Sequence, residues 1–181
     1  MTRSLLGTTA PGFDHPLDVL EACHERIARQ CVTLDKLLAH LPAHGPDTQA
    51  QRAARAVLTY FDTAAVHHHD DEERNLFPLL EQAGAPGVCD LVETLTLEHG
   101  ELALLWRRLR PDLLQVEQGL AILLDEALVR RFIALYRSHI EFENTRVLPL
   151  ARQVLSSTEI ERLGRAMAAR RAPRQAQGEW T

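Results

Sequence analysis

Four long stretches of this chain place apolar residues alternately three and four positions apart, the pattern of an amphipathic helix. They cover residues 16–41, 47–82, 89–109 and 125–155. Strand-like alternation is missing from the sequence, and the connections are short. The chain is therefore predicted to be all-α, an up-down-up-down antiparallel four-helix bundle. A short C-terminal fifth helix is expected to follow, with Ser157 as its N-cap.

Proline and glycine residues set the expected helix ends. Pro42 and Gly45 are predicted to stop the first helix, and Pro111 is predicted to interrupt the third. Pro78 lies inside the second helix and is expected to kink it or to end its regular part. Residues 112–124 fit either a short helix or an ordered connection.

The length of 181 residues suits one domain with one core. We expect an N-terminal arm (1–13), the bundle (14–155), and a short helix with a flexible tail (156–181). A net charge of -5 argues against a nucleic-acid partner, and no stretch has the apolar length of a membrane span.

Cysteine usage bears on the compartment. Cys23, Cys31 and Cys89 are odd in number and lack CxxC spacing. With no secretory signal recognisable at the N-terminus, this predicts reduced thiols in the cytoplasm, packed as small apolar core residues.

Each apolar helix face carries a histidine near its middle, and two faces carry a glutamate four residues later. The residues concerned are His24, His68, Glu72, His99, His139 and Glu143. A spacing of four points both side chains of a His-x-x-x-Glu pair off one helix face. The order of one histidine and then one His-x-x-x-Glu pair occurs twice, which suggests a duplicated helical hairpin.

These six residues can be interpreted as ordinary core residues or as functional ones. A lone histidine on an apolar face is usually a core residue bonded to a backbone carbonyl. A buried, ionised glutamate is costly unless it is paired or bound to a metal, and inward lysine or arginine partners are not evident. Nitrogen and oxygen donors without thiolate suit iron, manganese, zinc or copper. Six such donors are too many for one tetrahedral zinc and suit two carboxylate-bridged octahedral ions.

Residues 14–152 resemble the hemerythrin-like (HHE cation-binding) domain family. The strongest motif is HHHDDEERNLFPLL, and SHIEFE around His139 is the second. EACHERI around His24 and LEHGEL around His99 are similar to the family's single-histidine helices. The resemblance implies a non-haem di-iron centre, two Fe ions with carboxylate or oxo bridges. It also implies that the six residues above are the metal ligands.

The chain departs from the oxygen-carrying members at one position. They have a further histidine one turn after the third-helix histidine, where this chain has Ala103. A carboxylate, a water or another histidine could fill that place. His69 and Glu73 form a second pair four apart, with a minor claim as ligands and a stronger one as supporting or surface groups. His15 is expected at the helix entry, and Tyr136 in the wall near the centre.

The resemblance leaves three functions open. The first is binding or sensing of a small diatomic ligand, oxygen or nitric oxide, with signalling through a partner protein. The second is a di-iron oxidoreductase acting on peroxide or nitric oxide. The third is iron storage or delivery for iron–sulphur cluster repair. Repair proteins of the family carry a cysteine-containing N-terminal region, and the residues before Asp14 contain no cysteine.

Overall fold

The computed structural model describes residues 11–121 and 123–172. Within these ranges every regular element is a helix, which confirms the all-α prediction. The α-helices are α1 (Pro16–His44), α2 (Thr48–Asp62), α3 (Ala64–Asp71), α4 (Phe77–Ala83), α5 (Val88–Glu117), α6 (Glu126–Phe142), α7 (Leu148–Val154) and α8 (Ser157–Arg171). These ranges also contain two five-residue π-helical turns. The first, Glu72–Leu76, joins α3 to α4, and the second, Glu143–Val147, joins α6 to α7.

The long helices pack in pairs around a shared interior. Helix α1 contacts α2 and α6, and α5 contacts the same two helices on its own side. One apolar core is built around Leu34, Phe61 and Phe132, and a second around Leu20 and Phe77. On each of the four helical stretches the predicted site residues lie between these two cores. The site therefore sits in the middle of the molecule, with apolar packing on both sides.

The prediction that Pro111 interrupts the third helix was wrong. Helix α5 runs through Pro111 to Glu117, so the first six residues of the ambiguous segment 112–124 are helical. Leu113 and Val116 are fully buried there. Their burial, at about 1.5–3 kcal/mol per large apolar side chain, offsets the missing N–H of the proline.

The first helix also passes the proline that was expected to stop it. Helix α1 contains Pro42 and ends at His44. Gly45 caps it with φ 68°, and its N–H donates to the carbonyl of Leu41. The glycine was thus the correct stop signal, because this left-handed conformation is strained for other residues.

The second helical stretch, predicted over 47–82 with a kink or an end of its regular part at Pro78, is divided into α2, α3 and α4. The backbone leaves helical geometry at Thr63, and the first π-helical turn follows α3. In that turn the N–H of Phe77 donates to the carbonyl of Glu72, five residues back. Pro78 then falls in the first turn of α4, where its missing N–H costs little. The expectation that regular helix ends before Pro78 is therefore met by a π-helical turn.

Helix α8 is longer than the short fifth helix that was expected, and its N-cap lies one residue earlier than predicted. Its N-cap is Ser156, not Ser157, and Ser156 forms a capping box with Glu159. Helix α8 packs against α1, α3 and the first π-helical turn. The predicted flexible tail and most of the predicted arm lie outside the described residues.

The cysteine prediction holds for two of three residues. Cys23 and Cys31 are buried, whereas Cys89 is exposed, and all three are free. Among residues 11–121 and 123–172, no helix combines the length and the apolar composition that a membrane-crossing segment needs.

Candidate metal centre

The structure brings all six predicted site residues into one buried region. Their side chains are between 0% and 3% exposed. They come from α1, α3, α5, α6 and the two π-helical turns: His24, His68, Glu72, His99, His139 and Glu143. Each π-helical turn begins at one of the two glutamates. Such turns occur often at functional sites, because the inserted residue re-aims a side chain.

The first group of donors consists of His24, His68, Glu72 and Glu143, whose ligand atoms all lie within 4.8 Å of one another. Nε2 of His24 lies 3.1 Å from Oε2 of Glu143 and 3.8 Å from Oε1 of Glu72. Nε2 of His68 lies 3.4 Å from the same oxygen of Glu72. Two imidazoles and two carboxylates thus converge from four helical segments.

The second group consists of three imidazoles, His69, His99 and His139, again within 4.8 Å of one another. Nε2 of His99 and Nε2 of His139 lie 3.0 Å apart. The rings of His69 and His99 stack with centroids 3.9 Å apart. His69, given only a minor claim from sequence, therefore lies among the candidate ligands.

The two carboxylates reach both groups. Oε1 of Glu72 faces His68, while Oε2 of Glu72 lies 3.5 Å from Nε2 of His99. Oε2 of Glu143 lies 3.3 Å from Nε2 of His139 as well as close to His24. This placement suits carboxylates that bridge two cations.

Two of the histidines are oriented by carboxylates behind them. Nδ1 of His99 donates to Oε1 of Glu73 at 2.7 Å, and Nδ1 of His139 donates to Oε2 of Glu98 at 2.7 Å. A carboxylate accepts and does not donate, so both rings carry the proton on Nδ1. Their Nε2 atoms then direct lone pairs into the centre, as in metal-binding histidines.

The other side of the centre is supported differently. Nδ1 of His24 donates to Oδ1 of Asn144 at 2.6 Å, so the supporting group is neutral. Among the described residues, neither ring nitrogen of His68 has a hydrogen-bond partner. The second donor group is therefore supported by two carboxylates, whereas the first is supported by a neutral amide.

Several buried polar atoms in the centre lack the partners that burial normally requires. Within the described chain, Nε2 of His69, Oε2 of Glu72 and both carboxylate oxygens of Glu143 accept or donate no hydrogen bond. Nε2 of His99 and Nε2 of His139 lie 3.0 Å apart, so in the neutral, metal-binding form of both rings their lone pairs face each other. Such groups are costly in a protein interior, and cations would satisfy them together. The donor set therefore fits metal ions.

Comparison with known proteins decides the family. The family model of the Hemerythrin HHE cation binding domain matches residues 15–151. The chain belongs to this family. An uncharacterized protein of Haemophilus influenzae is 32% identical over 159 residues, covering 88% of this chain and 91% of that protein. HHE domains bind metal cations, and this one has a His/Glu cluster that could hold them.

Burial keeps three imidazoles of the centre in this HHE domain neutral: His68, His69 and His99. Burial, with neighbouring His139, lowers the pKa of His99 to about 3. Burial likewise holds the pKa values of His68 and His69 well below the ordinary range. His24 differs: burial lowers its pKa, but the neighbouring carboxylates of Glu143 and Glu72 outweigh this and raise it to about 10. Neutral imidazole is the form that coordinates a metal.

The two carboxylates of the HHE domain differ in the same metal-free state. Burial, and then the nearby charge of Glu143, raise the pKa of Glu72 well above its usual value. Burial also acts to raise the pKa of Glu143, but the proximity of His24 and of His139 holds it below the usual value. In the metal-free protein His24 and Glu143 thus form an ion pair.

The remaining sequence candidates fall around the centre. His15 is the N-cap of α1, as expected, and is exposed. Glu73 is 42% exposed and supports His99. Ala103 is exposed, so its position does not face the centre. Tyr136 is buried, with its ring 6.0 Å from that of His69.

Sequence reasoning missed the supporting residues Glu98 and Asn144, and a buried Asp71 described below. Glu98 directly precedes His99, and Asn144 directly follows Glu143. Polar residues adjacent to predicted ligands were the available signal, but each supports a ligand on a different helix. That pairing depends on how the helices are packed.

Proposed function

We propose that this HHE domain holds a non-haem di-iron centre and binds or senses a small diatomic ligand, oxygen or nitric oxide. The observation that supports it best is the position of Glu72 and Glu143, each within 3.5 Å of imidazole nitrogens from both donor groups. Carboxylates so placed are typical of dinuclear centres, whereas a single ion would need only one group.

The donors divide into two ligand sets. His24 and His68 would hold one ion, and His69, His99 and His139 the other. Glu72 and Glu143 would serve both ions, giving four protein donors on the first side and five on the second. Iron prefers six donors, so positions remain for an oxo bridge and for a small exogenous molecule. His69 would supply the third imidazole of the second set, in place of the further third-helix histidine of the oxygen-carrying members.

Iron itself is supported by the resemblance and by the chemistry of the donors. Imidazole and carboxylate donors without thiolate suit iron, and also manganese and zinc. When bound, iron would supply a redox-active centre for diatomic ligands. The protein's own residues would orient the imidazoles through Glu73, Glu98 and Asn144, and would keep bulk water out by burial.

The wider arrangement is part of the proposal. We infer an antiparallel up-down-up-down four-helix bundle over residues 14–155, because α1 and α5 each pack against both α2 and α6. The free cysteines favour a reducing compartment such as the cytoplasm. A partner protein would be needed to pass on a sensing signal.

A di-iron oxidoreductase acting on peroxide or nitric oxide is the second candidate. The buried phenol of Tyr136, beside His69, favours it, since a phenol near a redox centre can hydrogen-bond to a bound molecule or supply a proton. Storage or delivery of iron for iron–sulphur cluster repair is the third, and the complete burial of the donors speaks against easy iron release.

One experiment separates these functions. Iron-loaded protein is mixed with oxygen, nitric oxide or hydrogen peroxide, and its ultraviolet–visible spectrum is followed. Reversible changes with oxygen or nitric oxide, stoichiometric with the centre, are expected. Catalytic consumption of peroxide or nitric oxide would favour the enzyme instead, and Tyr136→Phe should then slow it. Spectra that respond to none of the three would refute diatomic binding.

A further inference from the structure

Asp71 is a fully buried carboxylate directly before Glu72, and it is gripped by the end of helix α8. The side chain of Asp71 is 0% exposed. Arg170 donates to its Oδ1 atom, and Nη2 of Arg171 donates to its Oδ2 atom at 2.6 Å. Nη2 of Arg170 also donates to Oδ1 of Asn75 at 2.7 Å. Two arginines thus hold both the residue before the first π-helical turn and a residue within it.

Arg171 is itself held in place by two further contacts. Nη1 of Arg171 donates to the carbonyl of Met167 at 3.0 Å, and its guanidinium lies 5.4 Å from the centre of the Phe13 ring. Gly164 permits this packing, because a Cβ there would collide with the carbonyl oxygen of Phe13. The contact therefore joins the N-terminal segment, α8 and the first π-helical turn.

The second π-helical turn offers an internal comparison. The position equivalent to Asp71 is Phe142, which is 37% exposed, and the position equivalent to Asn75 is Arg146, also exposed. In the part of the chain that the structure describes, no arginine pair grips this second turn. Among the residues that the structure describes, arginines of α8 therefore contact the neighbours of Glu72 but not those of Glu143.

A grip of this kind fixes the direction of Glu72. Successive residues of a helix differ by about 100° in direction, so a one-residue shift of the turn would aim Glu72 away from the centre. A π-helical turn is a rare alternative to the α-helix, and such a shift would restore regular helix. Anchors on both sides of Glu72, at Asp71 and Asn75, oppose this shift.

We propose that Arg170 and Arg171, through Asp71 and Asn75, are positioning residues that hold Glu72 in its metal-bridging place. This rests on the proposed role of Glu72 as a ligand. If their role were purely structural, the contacts of the two arginines with Asp71 would be ordinary buried ion pairs. Their loss would then lower the stability of the whole chain.

The first test is hydrogen exchange of the metal-free protein. The variant Arg170→Ala/Arg171→Ala is compared with Arg165→Ala, an arginine of the same helix whose side chain is 69% exposed. Amides 72–77 should exchange faster in the double variant, while amides 143–148 should not. Asn75→Ala, which keeps the ion pairs with Asp71, should show a smaller effect at the same amides. Unchanged exchange at 72–77, or uniform acceleration along the chain, would overturn the proposal.

The second test is ferrous iron binding by the same variants, measured by competition with a chelator. Affinity should fall by about 10–100-fold in the double variant, as for residues that orient metal ligands, and should not change in Arg165→Ala. Equal affinities in a folded double variant would overturn the proposal. If the unaltered protein bound no iron, the proposed function would fail, whereas the exchange experiment would still report whether the arginines hold the turn.

Discussion

The Nε2 atoms of His99 and His139 face each other across 3.0 Å in a buried space. Both rings donate from Nδ1 to carboxylates, so in the neutral form that binds a metal each facing nitrogen carries a lone pair. Two lone pairs at this distance repel, and a cation bound to both nitrogens would replace the repulsion with attraction. The pair therefore marks the second donor group as a place for a metal ion.

His69 is the third imidazole of that group, and its removal is the sharpest check of the ligand assignment. His69→Ala should lower iron content from two ions towards one ion per chain, because the second group loses one of its three imidazoles. Metal analysis of loaded, gel-filtered protein measures this. His44→Ala is the control, since His44 is exposed at the end of α1. Equal iron content in both variants would show that His69 is not a ligand.

Glu98 orients His139 and is expected to tune the affinity of the centre. Glu98→Gln keeps the shape but removes the charge behind Nδ1 of His139. Iron affinity should fall by about 10–100-fold, which calorimetry or chelator competition can measure. Glu101→Gln, on the same helix and paired with Arg131, should leave affinity unchanged. A similar loss in both variants would indicate a general charge effect.

Glu72 is expected to destabilise the metal-free protein at neutral pH. Burial and the nearby Glu143 raise its pKa well above the usual value, so stability falls as pH rises from the unfolded pKa towards the folded one. Glu72→Gln should raise the free energy of unfolding of the metal-free protein at pH 7 by about 1–3 kcal/mol, measured by urea unfolding. It should also weaken iron binding. Glu143→Gln should not stabilise, because His24 holds the pKa of Glu143 low. Stabilisation by neither variant would contradict the burial of an unpaired charge at Glu72.

Acid should destabilise the metal-free fold through its buried neutral histidines. The pKa of His99 is about 3 in the folded protein, against about 6.5 in an unfolded chain. As pH falls through this window, the unfolded chain binds a proton that the folded one does not, so the free energy of unfolding decreases.

The measurement is urea unfolding between pH 7 and pH 4.5 in the Glu72→Gln background, which removes the opposing effect of that carboxyl. His99→Gln should flatten the decrease. A stability that does not change with pH across this range would contradict neutral burial of these rings.

The clustering of the six predicted site residues could be predicted from sequence, because helical periodicity fixes which side chains share a face. His68 and His139 each lie four residues before a glutamate, and the spacing survives packing. His69 was undervalued because a narrow face was assumed for each helix. Adjacent residues differ by about 100° in direction, yet a centre with two donor groups is wide enough for His68 and His69 to enter different groups.

Other features depend on contacts that sequence does not display. The π-helical turns at Glu72 and Glu143 arise from a shifted hydrogen-bond pattern that leaves the apolar periodicity almost unchanged. The grip of Arg171 on Asp71 joins residues 100 positions apart. The continuation of α5 through Pro111 was decided by burial of residues on both sides of it. In each case tertiary packing outweighed a local signal.

The most direct test of the dinuclear centre is an anaerobic titration of metal-free protein with ferrous iron, followed by gel filtration and metal analysis. Saturation at two iron ions per chain is predicted, since Glu72 and Glu143 each approach imidazoles of both donor groups. The loaded protein should also melt at a higher temperature, because the unfolded chain cannot present converging ligands. Saturation at a single ion per chain, in protein shown to be folded and fully loaded, would contradict it.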